Sequence, residues 1–131
     1  LAALAAWLVT AGLGVSMMAR WFVRARRQGT GQQVVLNFAH FGLALTGLLV
    51  WISYLTTSIT GLAWAACGLL LAVASLGMTL VFLGPASTAT VLRSGDGPEP
   101  AGHPPVFVIA AHVTGACITI LLATLAAIGA G

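Results

Sequence analysis

Charge is almost missing from this chain. Lysine is absent, Asp96 and Glu99 are the only acids, and five arginines complete a charged content of 5% in 131 residues. Seven such side chains cannot clothe a soluble domain, which normally carries about a quarter of its residues charged. Apolar residues make up 60% and mean hydropathy is +1.06, so the surface is expected to face lipid. There is no CxxC pair, no CxxCH haem-attachment site and no glycine-rich phosphate loop. Both acids fall in one polar stretch, so no Ser/His/acid set can be assembled and hydrolysis is not expected. The apolar stretches hold no carboxylate relay of the kind that proton pumps need. Cys67 and Cys117 each stand inside an apolar run, where they read as small hydrophobes rather than as a disulfide.

What the chain does have is four long apolar runs, each close to the roughly 20 residues that cross a bilayer. The first covers about 1–19 and is closed by Arg20-Trp-Phe-Val-Arg-Ala-Arg-Arg27; Gln28 to Gln33 then reads as a polar turn. The second covers about 34–56, with a tight reversal at Thr57 to Gly61. The third covers about 62–83 and stops at Gly84-Pro85, where proline cannot continue a helix. A loop of roughly 86–104 follows, carrying Ser94-Gly-Asp-Gly-Pro-Glu-Pro-Ala-Gly-His103, and the last run covers about 105–130, with Pro105 suited to a first turn. The expected fold is a single all-α domain over 1–131, an integral membrane four-helix up-down bundle.

The chain begins at Leu1 rather than Met, so residues can be missing there. Residues 1–19 are expected to be a spanning helix rather than a cleaved leader, because no basic stretch precedes them and an arginine cluster follows. In an up-down bundle the two charged loops share a side. Arg20, Arg24, Arg26 and Arg27 lie in one, and Arg93, Asp96 and Glu99 in the other. The positive-inside rule makes that side cytoplasmic and leaves both termini outside. A pI near 9.7 would suggest nucleic acid in a soluble chain; here it is topological, and no nucleic-acid partner is expected.

Chemistry concentrates in two histidines. His40 and His112 each lie about seven residues into a spanning helix, and the two helices run in the same direction. At 1.5 Å per residue both imidazoles reach a level about 10 Å below the cytoplasmic boundary. The repeat Ala39-His40-Phe-Gly-Leu-Ala-Leu-Thr-Gly-Leu-Leu49 against Ala111-His112-Val-Thr-Gly-Ala-Cys-Ile-Thr-Ile-Leu121 suggests two parallel hairpins, with helices 1 and 3 matching less well. Ionisable groups inside a membrane usually face the bundle interior and carry function. On diagonal helices, two such imidazoles leave a gap that a flat macrocycle with a central iron would fill, one ring on each axial position.

Small residues share the histidine stripes: Ala44 and Gly47 on one helix, Gly115, Ala116 and Thr119 on the other. They either leave room for a planar ligand or allow close helix packing in lipid. Asn37 stands one turn before His40, within reach of its imidazole or a cofactor edge. Arg20 and Arg24 stand where carboxylates of a haem near that boundary would emerge, although membrane topology explains them equally. Met78 reaches the histidine depth, with Met17 and Met18 nearer the boundary; they are gap-fillers or a soft ligand set that would favour copper. His103, beside Pro104 and Pro105, reads as a solvated loop residue. The Gly42 to Gly47 spacing is too loose to define a dimer face.

In its helical architecture and its two Ala-His positions, the chain resembles the small bacterial b-type membrane cytochromes. That resemblance implies non-covalent haem b, electron transfer near the cytoplasmic face of a bacterial inner membrane, and membership of the oxidoreductase components. Many such proteins carry two haems, with further histidines deeper in the bundle; this sequence has ligands for one. The partners implied are the bilayer, a redox protein or a quinone, and a second copy or a larger membrane complex. Two alternatives stand beside it. One is a copper-handling membrane protein using His40, His112 and Met78. The other is a non-catalytic accessory subunit whose histidines hydrogen-bond between helices.

Overall fold

A computed structural model of the chain describes residues 1–28, 31–83 and 106–130, with side chains described except at 24–28, 31–33 and 83. Four helices account for these residues: α1 (Ala2–Gln28), α2 (Gly31–Thr57), α3 (Thr60–Leu83) and α4 (Val106–Gly129). Among the described residues there is no strand. Each helix contains a stretch long and apolar enough to cross a membrane: Ala2–Val23, Val34–Thr57, Thr60–Phe82 and Val106–Gly129. In its described residues the chain is a four-helix bundle of multi-pass membrane type.

Two helix ends differ from the sequence reading. α1 does not stop near Ala19 but continues through the arginine cluster to Gln28, and α2 begins at Gly31, inside the expected polar turn. The apolar run marks where lipid ends, not where backbone hydrogen bonding ends. Arginine is a good helix former, and its long stem lets an extra turn project beyond the hydrocarbon. The loop of 86–104, with Arg93, Asp96, Glu99 and His103, and the side chains of Arg24, Arg26 and Arg27 lie outside the described residues.

The α2–α3 reversal is tighter than expected. α2 closes with Ser58 in the left-handed region (φ 56°), its N–H donating to the Tyr54 carbonyl at 2.8 Å. That single bond satisfies one of the last carbonyls of the helix, in the manner usual for a left-handed residue just past a C-terminus. The Thr60 hydroxyl then donates to the Ala130 carbonyl at 3.0 Å, tying the start of α3 to the end of α4.

Neighbouring helices run antiparallel around the bundle in the order α1, α2, α3, α4. α2 packs chiefly on α3 and α1 chiefly on α4; among neighbouring pairs α1 and α2 touch least. The bundle is thus two tight helix pairs meeting along a seam. Its buried apolar residues gather at the end away from the arginines: Ala3, Trp7, Trp51, Ala63, Ala66, Cys67, Leu70, Ala123 and Ala127. Trp51 is 1% exposed and lies 6.4 Å from Trp7, centroid to centroid. Alanines on α3 and α4 share this cluster with the indoles, as expected where close packing rather than water exclusion holds helices together in lipid. The outward faces carry Leu8, Val9, Leu45, Leu49, Leu71 and Leu125, all exposed and suited to acyl chains.

Candidate functional site

His40 and His112 each stand six residues past the start of their apolar span, α2 beginning it at Val34 and α4 at Val106. Antiparallel neighbours put the two on the same level. Their ring centroids are 6.4 Å apart, with the planes tilted by 56°. The sequence-based expectation of two imidazoles at one depth, on diagonal helices, matches this arrangement.

Each imidazole leans on a glycine of the other helix in its own pair. A Cβ on Gly77 of α3 would come within 3.1 Å of His40 Cε1, and one on Gly14 of α1 within 3.1 Å of His112 Cε1. Both distances are tighter than ordinary van der Waals contact. The glycines are seats for the rings. The gap between the imidazoles therefore coincides with the seam between the α2/α3 and α1/α4 pairs.

Behind the rings the two sides differ. His112 Nδ1 is 2.9 Å from the Thr10 carbonyl, which fixes that nitrogen as the donor and leaves Nε2 with its lone pair. His40 Nδ1 is buried without a partner of ordinary hydrogen-bond geometry, the Val73 carbonyl of α3 offering only a poorer contact. Thr10 itself is 8% exposed and Thr119 1% exposed. Their hydroxyl oxygens lie 3.5 Å apart, but each proton already serves its own helix, Thr10 to Ala6 at 2.9 Å and Thr119 to Gly115 at 2.8 Å. A hydroxyl has one proton to give, so the Thr10–Thr119 contact is packing more than bonding.

The small residues are not empty volume. A Cβ on Gly47 would meet the Trp7 indole at 3.1 Å, and one on Gly115 would meet Thr10 Oγ1 at 2.5 Å. The space they leave is filled by the chain's own side chains from α1. Ala44 and Ala116 are half-buried on the same stripes, and Asn37 is half-buried one turn before His40. Arg20 is exposed on α1, while the Arg24 side chain is not among those described. Met78 follows Gly77 directly but is 46% exposed on the outside of α3; Met17 and Met18 are half-buried on α1. Among the described residues no three His, Cys, Asp or Glu side chains gather as a metal cluster. Compared with protein families, curated proteins and solved structures, the chain matches none.

Sequence reading missed Thr10, Gly14 and Gly77. The signal was present in the halves that matched less well. Ala11-Gly-Leu-Gly14-Val-Ser16 on α1 corresponds to Ala74-Ser-Leu-Gly77-Met-Thr79 on α3, with the imidazole seat at the same position in each. Aligned on the seats, Thr10 and Val73 also correspond, each one turn before its glycine. The repeat thus extends over both hairpins.

A seat that already touches a ring cannot take a methyl group without moving it. Gly14→Ala and Gly77→Ala are each expected to displace the imidazole and lower stability by about 1–3 kcal/mol, the usual cost of overpacking. Gly42→Ala is the control. It is two residues from His40 with nothing within 4 Å, and is expected to be neutral or slightly stabilising. Thermal unfolding in detergent, read by loss of helical circular dichroism, separates the three.

Proposed function

We propose that the protein is a one-haem, bis-histidine membrane cytochrome of b type, transferring electrons near one face of a bacterial inner membrane. The observation that carries this reading is the pair of imidazoles facing each other at 6.4 Å. The two imidazoles are the donor type that would hold a haem iron, one nitrogen from each ring, were the group bound.

When bound, haem supplies a one-electron couple. The chain's residues do the rest. His40 and His112 would hold the haem, each through one ring nitrogen. The Thr10 carbonyl holds His112 Nδ1–H, fixing the tautomer and leaving Nε2 as the nitrogen that would bind, as outer partners of metal-bound histidines commonly do. Gly14 and Gly77 set how far each ring can approach the axis. Exposed Arg20 is available to pair with carboxylates at the rim. By the positive-inside rule the arginine end is cytoplasmic and both termini are outside.

A second reading is favoured by the His112–Thr10 bond itself, because an interhelical hydrogen bond is also a structural staple. In that case the chain is an accessory subunit of a larger complex and takes up no cofactor. One experiment tests both. Protein purified from cells supplied with haem precursors is expected to show a sharp Soret band that shifts on reduction, and His112→Ala is expected to abolish it. A haem-free wild type, with His112→Ala losing stability alone, overturns the cytochrome reading in favour of the staple. Copper found bound in place of haem would favour the metal-handling alternative, though exposed Met78 would not be among its inward-facing donors.

A further inference from the structure

We propose that the last turns of α1 are a binding surface for anionic phospholipid headgroups, with Arg20, Arg24 and Arg27 set in one row on a helix that runs on through the headgroup layer. The surface belongs to α1 and is independent of any haem.

The apolar span of α1 ends at Val23, yet the helix continues to Gln28. Five further residues at 1.5 Å each add about 7.5 Å. A bilayer of about 40–45 Å around a hydrocarbon core of about 30 Å leaves roughly 5–7 Å of headgroups on each side. The extension is thus as long as one headgroup layer is deep. In a loop, the same arginines would have no fixed order. A helix gives them register: Arg20, Arg24 and Arg27 stand at i, i+4 and i+7, which share one side, while Arg26 falls on another. Arg20, in the last turn of the span, is exposed, and an arginine stem is long enough to bring its charge out to the same layer.

The direction of the row is set by aromatic rings at the same level. Phe22 lies across the helix from it and meets Phe38 of α2 edge-on, with centroids 5.8 Å apart; Trp21 packs on Phe22 at 5.4 Å. Aromatic residues of this kind collect at the membrane boundary. Here they hold α1 against α2 where it leaves the hydrocarbon, so the arginine row is turned away from α2.

Charge complementarity names the occupant. The stretch 20–27 carries four arginines and no acid, and among the described residues there is no Asp or Glu at all. A phosphate accepts two parallel hydrogen bonds from one guanidinium, and anionic lipids present phosphates at the depth of this row. Near an anionic leaflet each basic residue gains association by about fivefold. Zwitterionic lipids carry the same phosphate but cancel its charge within the headgroup. Membrane topology needs only the number of arginines on one side, whereas a row on one side of a helix needs their positions.

That difference is what the experiment reads. The chain, purified in mild detergent and offered equal amounts of phosphatidylglycerol and phosphatidylcholine, is expected to retain phosphatidylglycerol preferentially, counted by native mass spectrometry. The preference should fall as salt is raised. Arg24→Gln with Arg27→Gln is expected to weaken it roughly 25-fold, two contributions of about fivefold each. Arg26→Gln with Arg93→Gln removes the same charge from elsewhere and should keep most of the preference. The single changes Arg24→Gln and Arg26→Gln repeat the comparison should either double variant fold poorly, with a loss of about fivefold expected for the first alone. Equal losses at the two sets of positions overturn the proposal, because charge count would then decide. A wild type without preference overturns it too, as does displacement of the lipid by an equal concentration of inorganic phosphate, which would make this a site for free anions.

Discussion

Gly115→Ala is expected to be among the most damaging one-carbon changes in the protein. The added methyl would lie 2.5 Å from Thr10 Oγ1, with Thr10 Cβ at 3.5 Å and its methyl at 3.7 Å. Thr10 is β-branched, so turning its side chain only exchanges hydroxyl for methyl at the clash. α1 and α4 must therefore move apart. Alanine gains about 1 kcal/mol of helix preference over glycine, and overpacking costs typically 1–3 kcal/mol or more where nothing can yield. A net loss of about 1–2 kcal/mol is expected, measured by thermal unfolding in detergent. Movement of Thr10 also carries away the carbonyl that holds His112, so under the proposed cytochrome function haem content should fall although neither proposed ligand has changed. The double substitution Thr10→Ala with Gly115→Ala removes the clashing atoms and should recover stability, a coupling that a double-mutant cycle reads directly. Additive losses would show that the Thr10–Gly115 contact is not the seat of the effect.

Trp51→Ala is expected to be the largest single loss. Trp51 is 1% exposed, and its ring sits 6.4 Å from Trp7 and 5.1 Å from Tyr54. Truncation of a buried tryptophan costs about 3–5 kcal/mol in water-soluble cores. In a bilayer the transfer of apolar surface from water is no longer part of that figure, but the cavity and lost dispersion remain. One feature works in the opposite direction: Trp51 Nε1 is buried without a hydrogen-bond partner. Leaving such a donor unpaired costs about 1–3 kcal/mol. Trp51→Phe removes the donor while keeping one aromatic ring, so it should be near neutral, while Trp51→Ala should lower stability by about 2–4 kcal/mol. A Trp51→Phe loss as large as that of Trp51→Ala would mean the indole nitrogen has a partner that matters.

These positions also mark how far the sequence could be read. Helix number, direction and the common depth of His40 and His112 were legible, because the bilayer sets the length of each span and the helix sets its rise. The helix ends near Arg20 and Gly31 were not, since hydropathy reports the lipid boundary while the backbone continues to Gln28. The stripe of small residues was legible as a stripe but not by what fills it. A missing side chain at Gly47 or Gly115 looks the same whether a ligand or a neighbouring helix takes its volume, and here Trp7 and Thr10 do. Gly14 and Gly77 escaped notice because a glycine gains meaning only once its opposite number is known. The ring it supports lies about a hundred residues away in one case and thirty-seven in the other.

The concentration of buried apolar residues at the end of the bundle remote from the histidines has an electrical consequence. Ala3, Trp7, Trp51, Ala63, Ala66, Cys67, Leu70, Ala123 and Ala127 form a dense plug, and the hydroxyls of Thr10 and Thr119 bordering it spend their protons on their own helices. Such a plug is an insulator, across which most of a transmembrane voltage would fall. A charge held between the imidazoles, about 10 Å inside a 30 Å hydrocarbon layer, senses only the remaining third. That amounts to about 0.8 kcal/mol per 100 mV, against 2.3 kcal/mol for a full crossing. The histidine layer therefore lies electrically nearer one face of the membrane and feels only the smaller share of its potential.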